Sequence, residues 1–257
     1  MRRVCVVQAR MRSTRLPGKV LRDLVGRPML VRQLERLMAC QSIDEIVIAT
    51  PSDSIDDPIA ALATGLGFAV VRGSSEDVLS RFILAARETH ADVVVRVTAD
   101  CPLIDPSTTD RVVDELTTHQ ETCDYASNVV RRTYPRGLDV EALFVDTLER
   151  LDRLARTAEE REHVTVAVRS GQPGAFLIRS VEDETDNSDL RWTVDEERDF
   201  TLVHRLYEEL DLGRVIAPYP VILQHVREHP ELIRLNQDIA TWTPTATADL
   251  TQGRQTP

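Results

Sequence analysis

The sequence predicts an α/β fold in which a mostly parallel sheet is covered by helices on both faces. Short apolar runs alternate with amphipathic stretches along the first half of the chain. The apolar runs are nearly continuous, as in parallel strands that are buried on both faces. With 257 residues, of which 42% are hydrophobic, the chain is long enough for a sizeable core without disulfides or a structural metal.

Strands and helices follow one another in a regular order through the first half. Four short apolar runs are predicted as strands: Val4–Val7, Ile46–Ala49, Ala69–Val71 and Val93–Val97. Apolar side chains at helical spacing predict helices over 28–39, 55–65, 78–86 and 106–118. Ligand-binding loops of such sheets follow the carboxyl ends of the strands, so we expect a site in the loops after Val7 and Val97.

The second half is less regular. We expect a strand, a turn and a strand over 125–144, a strand at Phe176–Arg179, and helices over 145–156, 159–169 and 195–210. The prediction is one domain over residues 1–244, with an inserted hairpin and helical subregion near 125–180. Residues 245–257 are rich in Thr and Ala without periodicity, which predicts a disordered tail.

Charge and cysteine content exclude several classes of protein. The formal net charge of −11 argues against a nucleic-acid-binding protein or a protein that binds anionic membranes. No apolar run approaches the roughly 18 residues of a membrane span. The four cysteines form no CxxC pair, so we expect free thiols and a cytoplasmic location.

The loop after the first strand concentrates positive charge in this acidic chain. It reads QARMRSTRLPGK over residues 8–19 and matches neither a Walker A loop nor a GxGxxG loop. Its cations are Arg10, Arg12, Arg15 and Lys19, the only lysine of the sequence. Four cations around a sharp Pro-Gly turn suit a polyphosphate, because cations and backbone N–H groups bind phosphate oxygens. A solvated basic loop is the alternative.

Carboxylates follow two other strand-like runs. Asp100 comes after the fourth strand, where it suits Mg²⁺ beside a polyphosphate or, alternatively, a turn before Pro102. Asp195 comes after the run Trp192–Val194, which we expect to be a short strand. Two further polar clusters, at 134–141 and 160–165, are compatible with binding or with purely structural roles.

Taken together, these segments resemble the sugar-acid cytidylyltransferases, the enzymes that make CMP-Kdo and CMP-sialic acid. The spore-coat polysaccharide branch of that superfamily is the most similar. Besides the loop at 8–19, the similar segments are RGSSEDVLSRF (72–82), VTADCPLIDP (97–106), YPRGLDVE (134–141), EREHVT (160–165), RWTVDEERDF (191–200) and HPELIRLNQDI (229–239). The resemblance implies a fold like that of nucleotide-diphospho-sugar transferases. VTADCP and YPRG depart from the Kdo enzymes, so Kdo itself is not implied.

The resemblance also implies site residues. It implies catalytic roles for Arg10, Lys19 and Asp100, and Mg²⁺ binding by Asp100 and Asp195. The nucleotide-binding residues that it implies are Gln8, Ala9, Arg10, Ser13, Arg15, Lys19, Arg72 and Asp100. The acceptor-binding residues that it implies are Tyr134, Arg136, Asp139, Glu141 and His163.

The expected reaction is transfer of CMP from CTP to an anionic small molecule, with release of pyrophosphate. A sugar acid, a phosphonate or a sugar phosphate would fit as the acceptor. The resemblance further implies a homodimer formed through the 125–180 subregion. Two alternatives stay open at this point: a glycosyltransferase that uses a nucleotide-sugar donor, and a non-catalytic nucleotide-binding protein. The first usually needs an Asp-x-Asp motif, which is absent after the fourth strand.

Overall fold

The described part of the chain, residues 1–170 and 174–240 of this computed structural model, is built around one seven-stranded sheet. The strands are β1 (Arg3–Gln8), β2 (Glu45–Pro51), β3 (Ala69–Gly73), β4 (Val93–Thr98), β5 (Tyr125–Ser127), β6 (Glu141–Phe144) and β7 (Ile178–Ser180). Their order is β3-β2-β1-β4-β6-β5-β7. The first four are parallel, β6 is antiparallel to β4 and β5, and β7 is parallel to β5.

Helices cover both faces of the sheet. They are α1 (Met29–Leu37), α2 (Asp57–Gly65), α3 (Val78–Glu88), α4 (Pro106–Thr118), α5 (Val145–Leu154), α6 (Ala158–Glu162), α7 (Val166–Ser170), α8 (Glu197–Glu209), α9 (Tyr219–Glu228) and α10 (Pro230–Ile233). Short 3-10 helices lie at Lys19–Leu21 and Ser54–Asp56. No helix among the described residues is long and apolar enough to cross a membrane.

Alternate residues of the central strands belong to two separate hydrophobic cores, one on each face of the sheet. In β1, Cys5 and Val7 belong to the core with α1, α4 and α8, whereas Val4 and Val6 belong to the core with α3 and α5. This division follows from the two-residue period of a strand. It explains why the apolar runs in the sequence are continuous, and it confirms the predicted fold class.

Two predictions in the second half are wrong in detail. The helix expected over 159–169 is two short helices, because Val164 has a φ of +52° that interrupts α6 and α7. The run Trp192–Val194 is not a strand; beside it, only Arg191 forms a bridge, to Arg136.

The expected subregion near 125–180 supplies β5, β6 and β7, which extend the same sheet on the far side of β4. Its other described residues form α5, α6 and α7. The expected tail at 245–257 lies outside the described residues.

Candidate functional site

The loop after β1 is folded back on itself and fixed to the loop after β2. Gly18 has a φ of +69°, a left-handed conformation that favours glycine, and its N–H donates to the Met11 carbonyl at 3.0 Å. The Met11 N–H donates to the buried carboxylate of Asp56 at 2.6 Å. The loop is therefore a shaped platform at the carboxyl edge of the sheet.

A cavity of about 630 Å³ opens beside this loop. Gln8 of β1 and Thr98 of β4 are paired in register, so the loops after the two strands begin side by side. The cavity is lined by Gln8, Arg10, Met11, Arg12, Ser13, Thr14, Arg15, Pro17, Lys19, Val20, Ile55, Thr98, Ala99, Asp100 and Asp195. The two loops that were expected to form a site thus form the walls of one pocket.

Lys19 joins the two predicted metal-binding aspartates. Its Nζ lies 3.2 Å from Asp100 Oδ2 and 2.9 Å from Asp195 Oδ1, and it also donates to the Val194 carbonyl at 2.6 Å. The Lys19 side chain is only 10% exposed, and the two carboxylates are about a quarter exposed, at 26% and 24%. Residues that are far apart in the sequence therefore meet at a single ammonium group.

Electrostatics favours the charged forms of Lys19 and Asp195. Burial by itself would lower the pKa of Lys19, but the charges of Asp100 and Asp195 outweigh it and raise that pKa. Burial would raise the pKa of Asp195, but Lys19, Arg191 and Arg15 bring it below the ordinary value for an aspartate. A charged ligand can therefore take the place of either partner in these ion pairs.

Arg191 fixes the orientation of the Asp195 carboxylate. Its Nη2 donates to Asp195 Oδ2 at 2.7 Å and its Nε to Asp199 Oδ1 at 2.9 Å. Asp199 in turn accepts from the backbone N–H groups of Asp195 and Glu196 at the start of α8. The Asp195 carboxylate is thus held in place by a buried arginine and a capped helix.

The other three loop cations also face carboxylates. Arg15 pairs with Glu196 at 3.0 Å and with Asp195 at 3.2 Å. Two longer contacts complete the set: Arg10–Glu162 at 3.4 Å and Arg12–Asp53 at 3.7 Å. These partners come from the loop after β2, the loop before α8 and α6, so the loop cations are already neutralised by the protein itself.

A second cavity of about 200 Å³ adjoins the first. Arg15, Thr98, Asp100 and Asp195 line both cavities. The other lining residues are Cys101, Arg136, Gly137, Asp139, Arg191, Thr193 and Ala240. The pair Asp100 and Asp195 therefore stands at the boundary between a larger and a smaller pocket.

Backbone packing shapes the smaller cavity. Gly137 has a φ of +107°, and a Cβ there would lie 2.4 Å from the backbone nitrogen of Thr193. Only glycine allows the 134–141 segment to approach the backbone of 192–193 this closely. The contact holds the turn that carries Arg136 against the segment that carries Asp195.

Most of the predicted nucleotide-binding residues line the larger cavity: Gln8, Arg10, Ser13, Arg15, Lys19 and Asp100. Two do not. Ala9 is buried and donates its N–H to the Ala49 carbonyl. The Arg72 guanidinium is bonded to Asp57 and to the carbonyls of Pro51 and Asp53, outside both cavities.

The predicted acceptor-binding residues are divided. Arg136 and Asp139 line the smaller cavity, whereas Tyr134, Glu141 and His163 line neither. Tyr134 is buried and accepts a hydrogen bond from Arg111. Glu141 is buried in an ion pair with Arg96, and His163 is half-buried, with a pKa lowered by that burial.

Several residues of the site were not predicted. Asp56, Arg96, Glu162, Arg191 and Glu196 all hold cavity residues in place. Arg96 carried a signal, because a charged residue interrupts the apolar run VVVRV. Asp56, by contrast, is one of several acidic residues in its segment, and nothing in the sequence distinguishes it.

The donors of the cluster fit Mg²⁺. This ion binds one or two carboxylates together with substrate phosphates, and Asp100 and Asp195 are held within hydrogen-bond distance of the same ammonium. Among the described residues, no larger group of His, Cys, Asp or Glu is gathered that would form an all-protein metal cage. Phosphate oxygens would therefore have to complete the coordination.

The parallel sheet with a cationic loop at its carboxyl edge and an Asp-Lys-Asp cluster defines an α/β protein of the nucleotidyltransferase type. The chain belongs to the cytidylyltransferase family, whose model matches residues 4–204.

The chain is similar to two other proteins over most of their length. The chain is 32% identical to an uncharacterised protein of Methanocaldococcus jannaschii, over 93% of this chain and 96% of that one. It is 30% identical to the spore coat polysaccharide biosynthesis protein SpsF of Bacillus subtilis, over 79% of this chain and 85% of that one.

Two solved structures share this fold. A cytidylyltransferase from Leptospira borgpetersenii, 31% identical, superposes with a TM-score of 0.86 over 95% of this chain and 100% of that one. CMP:2-keto-3-deoxy-manno-octonic acid synthetase, solved in complex with CTP, shares the fold with a TM-score of 0.63 at 19% identity, over 82% of this chain and 100% of that one.

Proposed function

We propose that this protein transfers CMP from CTP to an anionic small-molecule acceptor and releases pyrophosphate. The observation that carries the proposal is the Lys19 ammonium between Asp100 and Asp195, at the edge of a cavity with three arginines. Family membership supports cytidine as the nucleoside. The similarity to SpsF supports a role in polysaccharide biosynthesis.

In this reaction an oxygen of the acceptor forms a bond to the α-phosphorus while the bond from that phosphorus to pyrophosphate breaks. Both reactants are negative, so the protein has to neutralise charge and align them. Lys19, Arg10 and Arg15 would exchange their carboxylate partners for phosphate oxygens and stabilise the charge that develops on pyrophosphate. No residue of the protein needs to be a nucleophile.

Asp100 and Asp195 would hold Mg²⁺ in this proposal. The ion, when bound, would supply positive charge that offsets the negative charge of the reacting phosphates. Arg191 would keep Asp195 oriented whether or not the ion is bound, because it contacts the carboxylate from the side of α8.

The smaller cavity is the proposed acceptor site. The Arg136 guanidinium faces it and makes no hydrogen bond to any side chain or carbonyl of the described residues. An anionic group of the acceptor, from a sugar acid, a phosphonate or a sugar phosphate, would supply the missing partner. The cavity shares Asp100 and Asp195 with the nucleotide cavity, so the two substrates would meet there.

We further propose a cytoplasmic homodimer. The buried, unpaired thiols of Cys5, Cys40, Cys101 and Cys123 are compatible with a reducing compartment. Twofold pairing is the commonest oligomer, and the resemblance favours the 125–180 subregion as the contact.

The proposal is tested by measuring pyrophosphate release from each nucleoside triphosphate with a panel of sugar acids, phosphonates and sugar phosphates. CTP should be the preferred donor and should raise the melting temperature most in the presence of Mg²⁺. Equal or greater stabilisation and turnover with GTP or ATP would exclude cytidylyl transfer.

A pair of arginine variants provides the matched comparison. Arg15→Gln should weaken CTP binding, because Arg15 lines both cavities. The Arg214 side chain is 84% exposed, and its contact with Asp211 is long, at 3.8 Å. The Arg214→Gln variant should therefore bind CTP as the wild type does. Equal effects of the two variants would mean that net charge, and not the site, controls binding.

A further inference from the structure

A charged side chain stands in the middle of a central strand. Arg96 lies between Val95 and Val97 of β4, and its side chain is 14% exposed. Its Nη1 donates to Glu141 Oε2 at 2.5 Å, and the Glu141 side chain is 5% exposed. A buried ion pair of this kind is often no more stable than apolar residues of the same volume. The pair therefore calls for an explanation other than stability.

Glu141 holds Arg96 rigidly. Its Oε1 accepts from the Tyr125 hydroxyl and from the Thr165 hydroxyl, both at 2.9 Å. Tyr125 and Thr165 are themselves buried. The carboxylate is thus fixed by three donors from β4, β5 and the segment before α7, which leaves the arginine little freedom to move.

The free end of Arg96 reaches the wall of the nucleotide cavity. Its Nη2 donates to Gln8 Oε1 at 3.3 Å. Arginine has donors and no acceptor, so the amide oxygen of Gln8 has to face it. The Gln8 NH₂ group is then turned away from Arg96, and it makes no hydrogen bond to the part of the chain that the structure describes.

We propose that Arg96 is a positioning residue that fixes the Gln8 carboxamide so that its NH₂ group donates to the acceptor edge of the nucleotide base. The inference rests on the proposed function, in which the nucleotide is CTP. Cytosine has adjacent acceptors at O2 and N3, whereas uracil has an N–H donor at N3. A fixed NH₂ group favours cytosine, and a freely rotating amide would favour neither.

The composition of the cavity supports the base as the ligand of Gln8. The other polar side chains that line it are cations, hydroxyls and carboxylates, which suit phosphates and a metal ion. Gln8 carries the only carboxamide among the described lining residues. A neutral amide contributes little to the recognition of a charged phosphate. When its orientation is fixed, however, it distinguishes bases by their patterns of hydrogen-bond donors and acceptors.

Calorimetric titration of CTP, UTP and inorganic tripolyphosphate, each with Mg²⁺, tests this proposal. Gln8→Met keeps the length of the side chain and removes the amide. It should weaken CTP binding about three- to tenfold, which corresponds to the loss of one hydrogen bond to a neutral group. It should also reduce the preference for CTP over UTP and leave tripolyphosphate binding unchanged. Unchanged CTP binding, or an equal loss for tripolyphosphate, would overturn the proposal.

The double variant Arg96→Met/Glu141→Gln tests the positioning role. It removes both charges together, so that neither is left buried alone, and a thermal melt establishes that it is folded. Gln8 is still present but free to rotate, so the CTP preference should fall toward that of Gln8→Met. A folded double variant with the wild-type preference would refute positioning by Arg96. If it does not fold, Arg96→Lys replaces it: the ammonium keeps the charge that pairs with Glu141 but lacks the planar fork that donates to Glu141 and Gln8 at once, and the preference should fall in the same way.

The proposed function fails by a different result. If wild-type protein binds CTP no better than ATP or GTP, cytidylyl transfer is excluded whatever Gln8 does. If wild-type protein selects CTP and Gln8→Met selects it equally well, only the inference about Gln8 and Arg96 is excluded.

Discussion

Replacing Lys19 by Met tests whether the Asp-Lys-Asp cluster is the centre of the site. Methionine preserves most of the buried stem and removes the ammonium. The change breaks three hydrogen bonds, to Asp100, Asp195 and the Val194 carbonyl, and leaves two carboxylates facing each other.

The expected loss of stability follows from the burial of the partners. Breaking a fully buried ion pair costs about 3–5 kcal/mol. Here Asp100 and Asp195 are about a quarter exposed, and Asp195 retains Arg191 and Arg15 as partners. Water can therefore replace part of the loss, and we expect about 2 kcal/mol. For a chain of this size that corresponds to a melting temperature lower by about 4–8 °C.

The pH dependence of this loss has a definite sign. Asp195 has a lowered pKa when folded, so its pairing contributes stability above its unfolded value of about 4, and that contribution disappears as the pH falls. Lys19 has a raised pKa, so its contribution is present below about 10 and disappears as the pH rises through the folded value. The difference between wild type and Lys19→Met should therefore be constant from about pH 5 to 9 and shrink below about pH 4.

Thermal melts over this range and CTP turnover are the two measurements. Turnover should fall about 10²–10³-fold, as is typical when one preorganised charge-stabilising group is lost. Lys19→Arg is the matched control, since it keeps the charge. An Lys19→Met variant that melts at or above the wild-type temperature, with normal turnover, would refute this account of the cluster.

Three further outcomes are expected. Gly137→Ala should lower the free energy of unfolding, measured by urea denaturation, by about 3 kcal/mol or more. Residue 137 has a φ of +107°, and the new Cβ would overlap the backbone of Thr193. A variant as stable as the wild type would show that the turn can move aside. Asp100→Asn and Asp195→Asn should each reduce Mg²⁺-dependent turnover sharply, and the double variant should be little worse than the worse single one, whereas losses that multiply would exclude a shared metal. Light scattering at micromolar concentration should give the mass of a homodimer, and a monomer there would contradict it.

The parallel half of the fold was predictable because its signals are local. The first four strands are apolar runs, and the helices between them show their periodicity within about ten residues. The position of the cationic loop and of Asp100 followed from one general rule about the carboxyl ends of parallel strands.

The rest depends on contacts between distant residues. Trp192–Val194 reads as a strand from its residue types, but its backbone N–H groups donate to the carbonyls of Arg136 and Asp100 in two loops, and it joins no strand. Glu141 was expected to bind the acceptor, as a member of the polar cluster at 134–141. Only the antiparallel register, which pairs it with Arg96, shows that it is buried.

The loop cations and the two aspartates of the site could be predicted, and the glutamates that pair with the loop arginines could not. Four cations within ten residues are evident in the sequence, whereas Glu162 and Glu196 reach Arg10 and Arg15 from elements more than 150 positions away. Nothing in the local sequence of either glutamate distinguishes it from other acidic residues on a helix.

Because Lys19 is the only lysine of the sequence, its chemical modification can report on the state of the site. An amine-directed acylating reagent has two targets on this chain, the N-terminal amine and the Lys19 ε-amine. Because the raised pKa keeps Lys19 protonated and the carboxylates shield it, its acylation should be slow in the resting protein. The rate of acylation at Lys19, separated from that of the N-terminal amine by peptide mass, would therefore record how often this cluster opens, without any engineered label. Ligands that occupy the cavity would change that rate.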